Sequence, residues 1–190
     1  IGRENVAMIL GDNFFYGQSL SKMLNVCTNL KNGAKVILHK VVNPEKFGVA
    51  KVKKNKIFII KEKPKKFLSD LAITGLYFFD NNVVKYAKSL KPSKRGETEI
   101  IDLLEKYKKQ KKLNADFIGR GGAWLDTGSI QDFYNTSNFV STIENRQGFK
   151  IACLEEIAFL NKWIGKKEII NSIKFYGNCE YSNYLKKIIM

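Results

Sequence analysis

The sequence predicts an α/β fold: a mixed, mostly parallel sheet flanked by helices, with a small antiparallel hairpin inserted. Three observations predict it. Short apolar runs alternate along the chain with segments of helical periodicity, the pattern of a layered α/β domain. The runs at 6–10 and 34–42 are continuous rather than alternating, which suits strands buried on both faces of a parallel sheet. The runs at 49–53 and 57–60 are separated only by Lys54-Asn55-Lys56, the spacing of a hairpin.

Taken in order, residues 6–10 (VAMIL) form the first strand, expected to be central and parallel. Leu20, Met23, Leu24, Cys27 and Leu30 recur at helical spacing over 19–30, and Asn32-Gly33 follows as a stop. Residues 34–42 form a second strand and 44–48 a turn before the hairpin. A further strand covers 72–79 with Gly75 inside it, where glycine marks close approach of another group to the backbone. A short helix over 83–90 ends before Pro92. An amphipathic helix over 99–112 places Ile100, Leu103, Leu104 and Tyr107 on one face. Short strands at 116–118 and 124–125 flank Gly119-Arg120-Gly121-Gly122. Ser129 is the expected N-cap of a helix over 129–145. Three short helices follow at 154–163, 167–173 and 181–189. The organisation expected is a first part over residues 1–150 and a C-terminal helical segment over 151–190.

The chain has 190 residues, 44% of them hydrophobic and 27% charged, as in an ordinary globular protein. No apolar run approaches the roughly 18 residues of a membrane span, and the first residues lack the pattern of a secretory leader. The chain does not start with Met, so a processed or truncated piece is expected. Cys27, Cys153 and Cys179 are far apart and form no CxxC, which speaks against a disulfide framework or zinc site and for a reducing cytoplasm. A single histidine, His39, excludes a histidine-based metal cluster; within an apolar run it reads as a structural strand residue. The formal charge of +15 is mostly lysine. Lys, Asn and Ile share AT-rich codons, and specific base readers favour arginine beside aromatic platforms, so a nucleic-acid partner is not expected.

In parallel sheets, ligands bind beyond the carboxyl ends of strands. Gly11-Asp12-Asn13 sits at one such end and Asp126 of "AWLDTG" at another. Two aspartates so placed suit Mg²⁺, which takes one or two carboxylates with phosphates and waters completing its shell; spacing alone equally allows them to cap the elements that follow. Glu62-Lys63 offers an acceptor for sugar hydroxyls and a cation for phosphate, although such a pair is ordinarily a solvated face. Gly48 and Gly75 allow backbone to approach a ligand. Glu97 precedes a helix, where a carboxylate is the ordinary helix-start residue.

The blocks "LGDNFFYG", "VNPEKFGV", "EKP", "AITGLYFFD", "KPSKRGETEIID", "GRGGAWLDTG" and "SNFVSTIENRQGFKIACLEEIA" together resemble, in order and through nearly the whole chain, the glucose-1-phosphate thymidylyltransferase family in its short bacterial form. "GAWLDTG" followed by "NFVSTIENRQG" is the most specific part. The resemblance implies a Rossmann-like nucleotidyltransferase fold and Mg²⁺-dependent transfer of a thymidylyl group from dTTP to glucose 1-phosphate. It implies that Asp12 and Asp126 hold Mg²⁺, that Gly48, Glu62 and Glu97 contact the sugar, that Ile73 lies against it, that Lys63 meets the sugar phosphate, and that Trp124 lines the site. Asp12, Lys63 and Asp126 are then the catalytic set. It further implies a homotetramer working in dTDP-rhamnose and polysaccharide biosynthesis, and a second nucleotide site involving Tyr16, Gly17, Glu156 and Ile157.

The sequence departs from the family in stated places. A GGxGTRLxPxT loop, which would cradle the triphosphate, has no match here, so the chain is expected to be incomplete at its N-terminus and inactive alone. Phe47 stands where the family commonly has tyrosine. Gln18 replaces the histidine of the second site and Leu160 its arginine. The alternatives are a nucleotidyltransferase for another nucleotide or sugar 1-phosphate, and a non-catalytic sugar-phosphate-binding remnant. A helical tail without hexapeptide repeats favours the short form.

Overall fold

The computed structural model describes residues 2–93 and 96–190. Its elements run β1 (Val6–Ile9), β2 (Asn13–Tyr16), α1 (Leu20–Thr28), β3 (Ala34–Lys40), β4 (Gly48–Lys53), β5 (Lys56–Glu62), β6 (Leu71–Phe79), α2 (Asn82–Lys88), α3 (Ile100–Lys109), β7 (Leu113–Phe117), β8 (Ala123–Asp126), α4 (Ile130–Gln147), α5 (Leu154–Leu160), α6 (Lys166–Tyr176) and α7 (Glu180–Ile189). The chain divides into two units, Ile1–Gly128 and Ser129–Met190. The helix α4, expected within the 1–150 part, belongs to the second unit.

In the first unit, six strands pair in the order β1-β6-β3-β7-β5-β4, with β6 also meeting β4; β2 and β8 form a separate two-stranded ribbon. The sheet is mixed, as expected, but the expectation of mostly parallel pairing is corrected. Among the described pairings only β3–β7 is parallel. The physical reason lies in the connections: β4 returns to β5 through a tight turn, which only an antiparallel pair permits. β1 is likewise corrected. It is an end strand, antiparallel to β6, with Val6 and Met8 half-buried and Ala7 and Ile9 exposed. A continuous apolar run of four or five residues does not encode orientation.

The sheet separates two apolar layers by strand alternation. Ala34, Val36 and Leu38 of β3 and Ile73, Tyr77 and Phe79 of β6 pack with Leu103, Leu104 and Tyr107 of α3. On the other face Ile37, Leu76 and Phe78 pack against Cys27, Met23 and Leu24 of α1. The buried Asp80 carboxylate ties the layers' edges. It accepts from Gly33 N at 2.6 Å, the Tyr107 hydroxyl at 2.8 Å, and Asn82 N and Nδ2, both at 3.1 Å. Burial opposes its charge, but these donors together hold its carboxyl below the usual aspartate value.

In the second unit, α5, α6 and α7 enclose Cys153, Ile169 and Leu185. Ser129 caps α4 as expected, its Oγ accepting from Asp132 N at 3.1 Å. The three cysteines are free, and burial pushes the Cys27 thiol up to about 12. Among the described residues no helix is long and apolar enough to cross a membrane.

Candidate active site

The site is built around the β2–β8 ribbon. Asp12 lies in the turn after β1, whose end is held on β6 by Leu10 N donating to Gly75 O at 2.9 Å. β2 then pairs antiparallel with β8, setting Asn13 opposite Asp126 and Phe15 opposite Trp124. Directly opposed residues share a face, so Asn13, Phe15, Trp124 and Asp126 lie on one side of the ribbon. Thr127 closes its end: its N and Oγ1 both donate to Asp12 O, at 2.8 and 2.9 Å. The two aspartates, distant in sequence, thus adjoin at one end of the ribbon. Asp126 Oδ1 accepts from Gly128 N at 3.0 Å.

The Asn13 side chain joins the ribbon to the main sheet. Its Oδ1 accepts from Gly75 N at 3.1 Å and from Trp124 Nε1 at 2.5 Å, while its Nδ2 donates to Asp12 Oδ1 at 2.8 Å. Gly75 makes this possible, because a Cβ there would sit 2.7 Å from Asn13 Cγ. The close approach expected at Gly75 is therefore real, but the group that approaches is Asn13 rather than a ligand.

The second wall comes from the β4–β5 hairpin. Gly48 stands opposite Glu62. A Cβ at position 48 would lie 2.8 Å from Glu62 Oε2 and 3.8 Å from Ile73 Cδ1, so the missing side chain is the space the carboxylate occupies. Burial, and then the Glu62 charge, push the Tyr77 hydroxyl upward. Lys63 follows Glu62 at a positive φ of 38°, its N donating to Phe47 O at 3.0 Å, which turns the chain at the hairpin's end. The Phe47 ring then meets Trp124 with centroids 5.1 Å apart. His39 meets the same indole edge-on at 6.4 Å. Among the described residues its buried Nδ1 finds no hydrogen-bond partner, and burial lowers the ring's pKa.

Of the residues singled out by sequence, Asp12, Gly48, Glu62, Lys63, Ile73, Trp124 and Asp126 are linked by these contacts. Glu97 lies exposed before α3, its carbonyl accepting from Ser93 N at 2.7 Å. Tyr16 and Gly17 belong to the first unit and Glu156 and Ile157 to the second, where the Tyr184 hydroxyl donates to Glu156 Oε2 at 2.7 Å. Sequence spacing does not single out Asn13 as a site residue, although the amide beside Asp12 and the glycine at position 75 are both visible in it. His39, read as structural, proves to border the indole of the site.

Among the described residues no group of three or more His, Cys, Asp or Glu could hold a metal. A cation here would rest on the Asp12 and Asp126 carboxylates, with further oxygens from phosphate and water. That donor set fits a hard ion such as Mg²⁺.

The profile of the family described as "Nucleotidyl transferase" matches residues 1–143. The chain is 45% identical over 190 residues to the glucose-1-phosphate thymidylyltransferase of Neisseria gonorrhoeae, covering 100% of this chain and 66% of that protein. It spans 66% of the Neisseria meningitidis enzyme of the same name as well, just under two thirds, at 43% identity. Among solved structures, it is similar to a Bacillus anthracis protein assigned as a glucose-1-phosphate thymidylyltransferase and solved with a sucrose. That match has a TM-score of 0.63 and 40% identity, over 73% of this chain and 55% of that chain.

Proposed function

The chain belongs to the nucleotidyl transferase family, and we propose that it is the sugar-phosphate- and cation-binding part of a glucose-1-phosphate thymidylyltransferase. In that reaction a phosphate oxygen of glucose 1-phosphate attacks the α-phosphorus of dTTP. The α–β phosphoanhydride bond breaks and pyrophosphate leaves. The attacking oxygen is already anionic, so no protein nucleophile or base is needed; catalysis is positioning and charge stabilisation.

The observation that carries this reading is the Phe47–Trp124 contact, which joins the Gly48–Glu62 wall to the ribbon where Asp12 adjoins Asp126. In the proposed roles, Glu62 accepts from a sugar hydroxyl in the space left by Gly48, with Ile73 beneath it. Lys63 faces the sugar phosphate, and Trp124 forms the apolar wall and excludes water. Glu97 supplies a further sugar contact. Asp12 and Asp126 would hold Mg²⁺, which would supply neutralisation of charge on the phosphates. Assembly as a homotetramer, a cytoplasmic setting and a place in dTDP-rhamnose synthesis belong to the same proposal, resting on the resemblance. The feedback site at Tyr16, Gly17, Glu156 and Ile157 does not, because Gln18 stands where the family has a histidine and the apolar Leu160 where it has a phosphate-binding arginine.

The test is pyrophosphate release by the full-length protein from dTTP, Mg²⁺ and glucose 1-phosphate, with dTDP-glucose identified by mass. Faster turnover with UTP, or with another hexose 1-phosphate, would assign the chain to a different member of the family. No turnover with any pair would contradict an enzymatic role.

A further inference from the structure

We infer that Asn13 is a positioning residue that couples the Asp12 carboxylate to the Trp124 wall; the inference rests on the function proposed above. Its side chain bonds three groups from three segments: Gly75 N on β6, Trp124 Nε1 on β8, and Asp12 Oδ1 in the turn before β2. The orientation of the amide is fixed by chemistry. A backbone N–H and an indole N–H only donate, so the atom facing both is the oxygen; the nitrogen then faces an ionised carboxylate, which only accepts. A flipped amide would confront donors with a donor and an acceptor with an acceptor.

No other residue of this size satisfies all three. Aspartate would set a second carboxylate where Asn13 Nδ2 now lies 2.8 Å from Asp12 Oδ1. Leucine would leave two donors unpaired, which is costly where water is excluded. Serine and alanine do not reach. Gly75 is matched to this amide, since any side chain there would collide with it. The consequence is that Asp12 does not choose its direction independently of the indole. The group that orients a candidate cation ligand is the same group that fixes the sugar wall, so the two halves of the site are set by one side chain.

The test uses full-length protein labelled with 5-fluorotryptophan, the Trp124 resonance being assigned by its loss in Trp124→Phe. Without metal, Asn13→Ala is expected to displace and broaden the Trp124 ¹⁹F resonance. Asp12→Asn, at an exposed position, is expected to shift it through the shared amide. Gly75→Ala, which pushes the Asn13 side chain aside while keeping it, should reproduce the Asn13→Ala change should that variant fold poorly. Mg²⁺ affinity, measured by calorimetry, should fall roughly 10- to 100-fold in Asn13→Ala, as for other partners of metal ligands. A Trp124 resonance unmoved in Asn13→Ala or in Gly75→Ala would overturn the inference, as would unaltered Mg²⁺ affinity in Asn13→Ala. If wild-type protein binds no Mg²⁺ while the resonance shifts occur, the clamp stands and the metal assignment in the proposed function fails.

Discussion

Gly48 stands directly across the β4–β5 ladder from Glu62, and a Cβ at position 48 would fall 2.8 Å from the Glu62 carboxylate oxygen. The backbone at Gly48 does not need glycine's left-handed freedom, so alanine is tolerated conformationally. Gly48→Ala is therefore expected to displace Glu62 rather than unfold β4. The KM for glucose 1-phosphate should rise about 10-fold or more, the scale of one misplaced methyl in a substrate pocket. The melting temperature should change little. Steady-state kinetics beside a thermal melt separates the two effects, and an unchanged KM would remove Glu62 from the sugar site.

Asp126→Asn is expected to lower turnover at least about 100-fold, the scale of losing a preorganised charge contact. Stability should be nearly unchanged. Ser129→Ala makes the contrast: it removes the α4 cap and is expected to cost about 1 kcal/mol of stability with activity kept. Equal activity in Asp126→Asn and wild type would reduce Asp126 to a capping role through Gly128 N.

The Asp80 network makes an acid-stability prediction. Asp80 is held below its ordinary value of 3.8 in the folded chain. A depressed carboxyl contributes stability that is present above the unfolded value and lost as pH falls through the folded one. Tyr107→Phe removes one of its donors and is expected to cost about 1 to 3 kcal/mol near neutral pH. With Asp80 less depressed, the acid unfolding midpoint should also move to higher pH. Denaturant melts across the acid range read both, and an unmoved midpoint would contradict this account of Asp80.

His39 works with the opposite charge. Burial places its folded value below the ordinary 6.5, so the unfolded chain binds the proton first as pH falls. Stability should decline as pH drops below about 6.5. His39→Gln should flatten that decline in a urea titration series while leaving the Trp124 contact region folded. Parallel declines in the two proteins would mean that His39 is not buried against the indole as described.

Much of this architecture is legible in the amino-acid sequence because it is local. The α3 face of Leu103, Leu104 and Tyr107, the β4–β5 hairpin and the Ser129 cap all follow from spacing within a few residues. What is not legible depends on pairing over long distances. β2 has only four residues, all half-buried, and exists because β8 pairs with it from far along the chain. The edge position and direction of β1 are set by β6, not by its own apolar run. At the site, a carboxylate at a strand end and a glycine within a strand are visible in the sequence. That the amide of Asn13 fills the space over Gly75 and holds Trp124 is visible only once three segments have been brought together.

A crystal structure of the full-length protein with Mg²⁺ and dTDP-glucose tests the proposed site. The expected result is a metal bound by both the Asp12 and Asp126 carboxylates, the oxygen donors that a hard ion takes. The hexose is expected over Gly48 and against Ile73, with a hydroxyl donating to Glu62. A metal bound without either aspartate, or a hexose seated away from the Gly48–Glu62 pair, would contradict it.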